Sequence, residues 1–571
     1  MTQLSTEDRR WLDAAVRYAR PFAGTTADVP GSVALLVDPQ TQTLVARSMT
    51  ARGGRPHAEA EAIAKAGFEA AGCTLYVTIE PCHHWGRTPP CVDAIIRAGI
   101  MRVVIGTLDP DLRTAGGSLA ELQSAGIEAV LANHRPSQAL HAGHALRHRA
   151  QRPFVTAVMI VSADGMIGQH GATRAAIAGS EAAAWIDLLR TRSEAVLIGA
   201  ATAGSDEAEL AVGLPDLASR TPLRVVLAGA SGVDRQVNLI GGFSGYRTAV
   251  IAESNSSVDA PASVEIIRVA GNRGRPDLAA ALQVLAQRNV QNLLVESGRR
   301  LTTALLEADL IDRFALIKGQ RELGEDAVSA SLDGPIEDAL AAAGLAEVDR
   351  QVLGDDNLTL YERQRLAVRG RAPVEVPAIG DYGVASSPGA PWPFGLAAKM
   401  KVPMADAPKR NPQADRPANQ RGAARLAAVQ ALYQMDVGRA TLEDTLAQFG
   451  AYHLGREIEG EQYLPADADF FRQIVTGVAK HQLAIDPAVD RALADGWPVE
   501  RVDATLRAIL RAAAFELLRR KDIPPRVVIT EYVDVARAFY EDDATGLVNA
   551  TLDAMAREAG LDLAEGEGKG A

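Results

Sequence analysis

His57-Ala58-Glu59, followed by Thr78-Ile79-Glu80-Pro81-Cys82-His83-His84-Trp85-Gly86-Arg87-Thr88-Pro89-Pro90-Cys91, is the stretch that decides what the first part of this chain is. One imidazole and two thiolates can hold a zinc ion with a coordination position left open. Glu59, two residues after the His, is placed to carry protons to and from a water bound there. Such a centre suits hydrolytic deamination. For these groups to converge, His57 and Glu59 should sit at the start of one helix. Cys82 and Cys91 should lie near the start of the next, where Pro81 suits the first turn and the helix N-terminus favours thiolate over thiol. A structural zinc site, or a core His beside buried Cys, is the competing reading of the same residues.

The rest of the composition agrees with an enzyme of the cell interior. Cys73, Cys82 and Cys91 are the only cysteines in 571 residues, and all fall in one short segment. A disulfide framework would spread them along the chain, so a metal role in a reducing compartment fits better, with Cys73 a core residue outside the motif. Hydrophobic residues make up 47% and charged residues 23%, the balance of a globular protein. The chain lacks an apolar run of the roughly 18 residues that a membrane helix needs, and its N-terminus lacks a basic-then-apolar leader. A soluble cytoplasmic protein with no membrane partner is expected. The formal charge of −12 argues against wholesale wrapping of nucleic acid but leaves room for a local RNA site.

The length allows three or four domains of roughly 100–200 residues. Residues 1–150 alternate apolar runs (Val33–Val37, Leu75–Ile79, Val103–Ile105) with helical patterns (Ala58–Ala70, Val92–Ala98, Leu119–Ala125), a three-layer α/β reading. A second α/β domain spans 151–365, with strands expected at Phe154–Val161, Ala195–Ile198, Leu223–Leu227, Leu293–Val295 and Phe314–Ile317. Arg147-His148-Arg149 is the expected junction between the two. Residues 366–418 are dense in Pro and Gly, lose periodicity and carry Lys399, Lys401, Lys409, Arg410 and Arg416, which marks a linker able to let its neighbours move independently. From 419 to 560 almost every segment reads as helix: Ala423–Val437, Ala468–His481, Val502–Arg519, Val527–Ala538 and Thr545–Ala556. Residues 561–571 read as a disordered tail.

The segment Thr-Ile-Glu-Pro-Cys-His-His-Trp-Gly-Arg-Thr-Pro-Pro-Cys after His-Ala-Glu closely resembles the deaminase half of the bifunctional riboflavin-biosynthesis deaminase/reductase family, the RibD family. The eight residues between Cys82 and Cys91 set it apart from most cytidine-type deaminases, which have two. The likeness continues through Ala98-Gly99-Ile100-Met101-Arg102-Val103-Val104 and Leu108-Asp109-Pro110. It implies a cytidine-deaminase-like α/β fold, Zn2+ held by His57, Cys82 and Cys91, and Glu59 as catalytic proton shuttle. The implied substrate is 2,5-diamino-6-ribosylamino-pyrimidinone 5'-phosphate. Three departures fall in the substrate pocket. The family's Pro-Asn-Pro-x-Val-Gly reads Thr26-Ala27-Asp28-Val29-Pro30-Gly31, an upstream His reads Thr50, and a basic residue expected after Asp109-Pro110 is missing from Arg113-Thr114-Ala115-Gly116-Gly117. His83 and His84 are expected to line the pocket or face solvent.

The second domain resembles the reductase half of that family, which implies a dihydrofolate-reductase-like fold, NADPH and reduction of the ribosyl chain. Ser162-Ala163-Asp164-Gly165, Ile198-Gly199-Ala200-Ala201-Thr202 with Asp206, and Leu294-Val295-Glu296-Ser297-Gly298 carry the likeness. By position, Thr202, Asp206 and Gly298 are expected along the cofactor, and Arg190 and Glu296 toward the sugar phosphate. Val158, Ala176 and Gly213 stand where a Lys, an aromatic residue and an Arg are expected. A scaffold without reductase activity is the alternative.

Residues 419–560 resemble the transcription antitermination factor NusB. The likeness rests on Arg421-Gly422-Ala423-Ala424-Arg425-Leu426, Ile509-Leu510-Arg511-Ala512-Ala513-Ala514-Phe515-Glu516, Asp522-Ile523-Pro524-Pro525-Arg526 and Leu547-Val548-Asn549-Ala550-Thr551-Leu552. It implies an all-α fold that binds boxA-type RNA together with a small ribosomal-subunit protein, with Arg421 and Arg425 facing RNA and Gly422 in place of a second Arg. A fusion of the two families is the reading adopted, with a homodimer through the middle domain also implied. Two competitors remain. One is a zinc deaminase for another nucleobase; the other is an RNA-binding regulator with degenerate enzyme domains.

Overall fold

Val33-Ala34-Leu35-Leu36-Val37 is apolar at every position because both faces of the strand it forms are covered. In the computed structural model this strand, β1 (Val33–Val37), is buried throughout. The structure describes residues 4–363 and 417–561, apart from 85–87, 170–176, 204–209, 231, 234–238, 240–244, 325, 333, 439–440, 453–456, 459–460, 463–465, 494–498, 500–501 and 541. β1 pairs antiparallel with β2 (Leu44–Met49) and with β3 (Thr74–Val77), while β4 (Arg102–Ile105) and β5 (Glu128–Leu131) continue parallel to β3. The order is β2-β1-β3-β4-β5.

Helix α1 (Thr6–Ala19) packs Leu12, Ala15 and Ala19 on one face, against Val33, Leu35 and Val37. On the other face α2 (Ala58–Ala66), α3 (Cys91–Arg97) and α4 (Gly117–Ser124) bury Ala62, Ile63, Val92, Ile95 and Leu122. This is the expected three-layer arrangement. The sequence reading missed α1, although Ser5 and Asp8 form a reciprocal cap at its start, the Ser5 Oγ accepting from the Asp8 N–H at 3.0 Å. Two short helices, α5 (Arg135–Leu140) and α6 (Ala142–Ala150), end the domain.

The second domain is built on a sheet of nine strands. Seven are parallel: β6 (Phe154–Val161), β8 (Ala195–Gly199), β9 (Leu223–Leu227), β10 (Thr248–Glu253), β11 (Val264–Val269), β12 (Asn292–Glu296) and β13 (Arg313–Lys318). With the antiparallel hairpin β15 (Leu345–Leu353) and β16 (Asp356–Arg363), the order runs β11-β10-β9-β8-β12-β6-β13-β16-β15. Outside this sheet a short β7 (Met166–Gln169) pairs with β14 (Ala327–Ser329). Helices α7 (Ser180–Thr191), α8 (Ala200–Ala203), α9 (Leu278–Gln287), α10 (Arg299–Glu307) and α11 (Ile336–Ala342) connect the strands. The five strands expected from sequence are all present. β10, β11 and the hairpin were not foreseen; β15 is largely exposed and its apolar alternation is weak.

The junction Arg147-His148-Arg149 lies within α6 and clamps the first two domains together. Arg147 donates to the Asp28 carbonyl at 2.7 Å on one side, and to the Ala286 carbonyl at 3.2 Å and Asn289 Oδ1 at 2.7 Å on the other. Gly143 permits the contact, since a Cβ there would meet the Gln291 carbonyl oxygen at 2.5 Å. Behind it, Glu194 is half-buried and accepts the backbone N–H groups of Gln291 at 3.2 Å and Asn292 at 2.6 Å. Burial pushes its pKa up to about 7. The folded state therefore holds this proton at pH values where the unfolded chain has released it. The associated stability is full below the unfolded carboxylate pKa and falls as pH rises toward 7. Glu194→Gln is expected to raise Tm by a few degrees at pH 8 and by little at pH 5, as read by calorimetry at the two pH values.

The third domain is helical: α12 (Pro417–Gly438), α13 (Leu442–Tyr452), α14 (Ala468–Ala492), α15 (Ala504–Arg519), α16 (Pro525–Arg537) and α17 (Asp542–Glu558). α15 is its axis, burying residues all round from Ala504 to Leu517. Its predicted helices are all found, and α14 runs on past His481 through Pro487. The linker residues Lys399, Lys401, Lys409, Arg410 and Arg416 and the tail from 562 lie outside the described residues.

The linker is long enough to let this domain move independently, yet the domain packs against the first. α12 lies against α2 and α3. Ala60 of α2 is 5% exposed and belongs to the same apolar cluster as Tyr433 and Leu432. With its amide oriented so that the oxygen faces α3, the Gln434 side chain accepts from the Arg97 guanidinium at 3.1 Å and 3.3 Å. A small residue on an alanine-rich helix gave no sign in the sequence that a partner covered it. In a chain ending at residue 363, amide exchange at 58–66 and 91–97 is expected to be about tenfold faster or more than in the full chain, because a covered face becomes solvent-exposed.

Candidate active site and nucleic-acid interface

His57 occupies the position before α2 with extended backbone, so its ring turns back toward the C-terminal end of β3 while Glu59 enters the first helical turn, 3% exposed. The loop after β3 carries Cys82, and Cys91 is the first residue of α3. His57 Nδ1 stands 3.5 Å from Cys82 Sγ and 3.4 Å from Cys91 Sγ, and the Cys91 backbone N–H donates to Cys82 Sγ at 3.4 Å. The three donor atoms lie within 4.8 Å of one another. One imidazole nitrogen and two sulfurs converging in this way fit zinc. One expectation is corrected: Pro81 starts no helix. Helix α3 begins at Cys91 with Pro90 as its cap, and Cys82 reaches it through a loop, its carbonyl accepting the Val92 N–H at 3.2 Å. Trp85, Gly86 and Arg87 lie outside the described residues.

Proton positions follow from burial and charge. The Cys91 thiol, as hydrogen-bond donor to Cys82, holds the Cys82 pKa well below its usual value, while that of Cys91 is pushed well up by the same contact and by burial. For His57, burial favours the neutral ring, but the Cys82 charge and hydrogen bond outweigh it and raise its pKa. Burial chiefly raises the pKa of Glu59, whose Oε2 lies 3.6 Å from Cys91 Sγ. A carboxyl so placed keeps its proton to higher pH than an exposed one and can release it to a stronger base.

These groups open into a cavity of about 280 Å3 lined also by Pro30, Ser32, Thr50, Ile79, His84 and His144. Where the sequence suggested lost substrate contacts, the structure shows groups already engaged. Thr50 Oγ1 accepts the Ser32 N–H at 3.0 Å and donates to the Pro30 carbonyl at 3.1 Å. Asp28 is 3.6 Å from the buried Arg55 guanidinium, and Arg113 pairs with Asp111 at 3.0 Å. His84 lines the cavity with Nδ1 3.0 Å from Thr114 Oγ1, whereas His83 faces Glu121 at 3.5 Å. Cys73 is core as expected, 3% exposed. Sequence reasoning missed Glu80, although it lies inside the quoted motif. Its carboxylate takes the Ser118 hydroxyl at 2.6 Å and the backbone N–H groups of Gly116 at 3.0 Å and Asp109 at 3.3 Å, tying together the loops that shape the cavity.

In the second domain the parallel register gathers the quoted motifs at one edge. Ser162-Ala163-Asp164-Gly165 follows β6, Gly199–Thr202 ends β8 and enters α8, and Ser297-Gly298 follows β12. That carboxyl edge is where open α/β sheets bind ligands. Gly298 caps α10, and Arg299 and Arg300 are exposed at its first turn, a setting suited to phosphate. Thr202 is half-buried in α8; Asp206 and Ala176 lie outside the described residues. Arg190 and Glu296 are brought together as each other's partners, at 2.7 Å and 2.8 Å, and Arg190 also binds Asp187 and the Ala211 carbonyl, each at 2.9 Å. Val158 is buried in β6, and the Gly213 N–H donates to Asp187 at 2.8 Å.

In the helical domain the two expected RNA contacts part company. Arg421 is exposed, 3.9 Å from Asp467, with its guanidinium 5.1 Å from the centre of the Phe470 ring. Arg425 is 3% exposed and cannot face RNA. It binds Glu516 and Glu531, each at 2.8 Å, and Glu516 also takes the Tyr532 hydroxyl at 2.7 Å. Helical periodicity explains the miss: residues four apart share a face, but that face curves under α15 and α16. Arg520 lies over the same Phe470 ring at 5.3 Å and, with exposed Arg519 and Lys521, extends the basic surface.

Comparison with known proteins agrees domain by domain. The sequence matches the cytidine and deoxycytidylate deaminase zinc-binding region over residues 5–107, the RibD C-terminal domain over 153–353 and the NusB family over 422–557. The transcription antitermination protein NusB of Rhodopseudomonas palustris (strain TIE-1) is 61% identical over 152 residues, 27% of this chain and 87% of that protein. Its counterpart in Bradyrhizobium sp. (strain ORS 278) is 62% identical over 144 residues, 25% of this chain and 86% of that protein. Among solved structures, Acinetobacter baumannii RibD is 25% identical and covers 63% of this chain and 99% of its own, with a TM-score of 0.54. The Thermotoga maritima diaminohydroxyphosphoribosylaminopyrimidine deaminase/5-amino-6-(5-phosphoribosylamino)uracil reductase is also 25% identical, covering 62% and 99% with a TM-score of 0.54. Among the described residues no helix is long and apolar enough to cross a membrane.

Proposed function

We propose, for a chain that belongs to the NusB family through its C-terminal domain and carries the deaminase and reductase domains of the RibD type before it, that it performs two successive steps of riboflavin synthesis and binds RNA. The observation that carries the reading is the convergence of His57, Cys82 and Cys91 beside a buried Glu59. The first step is hydrolytic deamination of 2,5-diamino-6-ribosylamino-pyrimidinone 5'-phosphate: water adds at the ring carbon bearing the amine, and ammonia leaves. Zinc, when bound by these three residues, lowers the pKa of water toward ~7 and polarises it for attack. Glu59 takes one proton from the attacking water and passes it to the ring nitrogen, then takes the remaining hydroxyl proton as the carbonyl forms and delivers it to the departing amine, which leaves as ammonia.

The second step is NADPH-dependent reduction of the ribosyl chain at the carboxyl edge of the large sheet. Gly298, Arg299 and Arg300 favour the cofactor phosphates there, with Thr202 beside them; Asp206, expected along the cofactor from sequence, lies outside the described residues. Arg190 and Glu296 shape the sugar-phosphate side by fixing each other. Incubating the full chain with substrate, zinc and NADPH and weighing the products reads both steps. A mass change for deamination alone would refute the reductase reading, and no change would refute both. A homodimer through the middle domain would cover Val348 and Val352 on the edge strand β15, 53% and 72% exposed; sedimentation tests it.

The helical domain is proposed to bind boxA-type RNA, with a small ribosomal-subunit protein, through Arg421 and the basic surface around Phe470. Each phosphate neutralised steepens the salt dependence of binding. Arg421→Ala is expected to weaken binding several-fold and lower the logarithmic salt slope by about one in gel shifts at two salt concentrations. Equal affinity for a scrambled RNA would count against specific recognition. The whole protein is proposed to work in the cytoplasm.

A further inference from the structure

One wall of the deaminase cavity holds a group that neither step above uses. His144, on α6, lines the cavity and is 4% exposed. Its Nε2 lies 3.0 Å from Asp109 Oδ1, and its Nδ1 is buried without a hydrogen-bond partner. Asp109 is itself fixed: its Oδ1 also accepts the Asp111 N–H at 2.9 Å, and its own N–H donates to Glu80 at 3.3 Å. A carboxylate that accepts from Nε2 selects the tautomer with the proton on that nitrogen, which leaves Nδ1 as an acceptor. The His148 ring stands edge-on at 4.6 Å and limits rotation of the imidazole. A buried acceptor left open costs free energy unless a ligand or water donor meets it.

We propose that His144 is a specificity-determining residue of the deaminase pocket, its Nδ1 accepting an N–H or O–H of the pyrimidine ribosylamine substrate other than the leaving amine. The inference rests on the deaminase reading above. It accounts for a pocket in which Thr50 is committed to Ser32 and Pro30. Recognition has moved to the wall formed by α6. Because the contact exists in the bound substrate and persists through the reaction, its loss raises KM and leaves kcat nearly unchanged.

Two substitutions separate substrate contact from mere support of Asp109. An asparagine places its amide near the position of Nδ1, whereas a glutamine places its amide near Nε2. Ammonia release by the full-length zinc protein is followed against substrate concentration, with zinc content confirming the fold of each variant. His144→Gln is expected to raise KM about tenfold or more, the loss of one hydrogen bond at a buried acceptor, and His144→Asn to recover most of that loss. Recovery by Gln but not Asn overturns the proposal, as does an unchanged KM in both. A second measurement uses the unaltered protein: the 15Nδ1 resonance of His144 should shift when substrate is added, and an unmoved resonance overturns the contact. No turnover by the unaltered protein would sink the deaminase reading and this inference with it. Turnover with an indifferent His144 would sink this inference alone.

Discussion

Glu59→Gln is expected to lower kcat for ammonia release by about 10²–10⁴-fold while the protein keeps its zinc, the loss typical of a missing proton-transfer group. The geometry makes this substitution a clean one. Glu59 is not among the three converging donors, and a glutamine of the same shape fills the same buried space. What disappears is a group able to take a proton from water and deliver it to the amine. Cys91→Ser supplies the contrast: it removes one of the soft donors, so zinc content and ammonia release should fall together. If Glu59→Gln retained full activity, Glu59 would not be the proton-transfer group; an unaltered protein that held zinc yet released no ammonia would make the centre structural, the competing reading of these residues. If Glu59→Gln lost zinc in proportion to activity, Glu59 would be serving the metal and not the proton.

The parts of the site that were legible in the sequence are those in which chemistry demands a residue type at a fixed spacing. His57, Glu59, Cys82 and Cys91 could be named because few combinations hold a metal and move a proton, and the structure places all four together. The parallel strands were legible as continuous apolar runs, since burial on both faces leaves no alternation to confuse. The failures share a different cause. Arg425 has the composition of an RNA contact, and only the folded arrangement shows Glu516 beneath it. Ala60 carries no mark of the interface it fills, because a small residue is compatible with exposure and with tight packing alike. His144 was passed over because α6 lies far along the chain from the zinc motif, and a single histidine has meaning only once Asp109 is seen to hold it. Pairing over long separations is set by packing, which one sequence does not print.

Arg425→Ala is expected to destabilise the helical domain by about 3–5 kcal/mol, whereas Arg421→Ala should change stability by less than about 0.5 kcal/mol. The two arginines sit one helical turn apart, yet opposite accounts apply. Removing the Arg425 guanidinium strands Glu516, 0% exposed, with, among the described residues, only the Tyr532 hydroxyl left to bond its charge, and leaves a void beside the Phe470 ring. Breaking a buried pair from one side is far costlier than the net value of the pair, because the remaining charge has no water to return to. At Arg421 the side chain is 49% exposed and its carboxylate partner is 3.9 Å away, so water replaces the interaction at little cost. Urea unfolding of residues 417–561, followed by circular dichroism, measures the difference, and the curated relatives, made up almost wholly of this domain, indicate that the piece stands alone. The double substitution Arg425→Met with Glu516→Leu should recover much of the loss, since it removes both charges at once. A stable Arg425→Ala with weakened RNA binding would restore Arg425 to the interface. A destabilised Arg425→Ala beside a stable, RNA-defective Arg421→Ala would assign one arginine to the core and the other to the surface that meets phosphate.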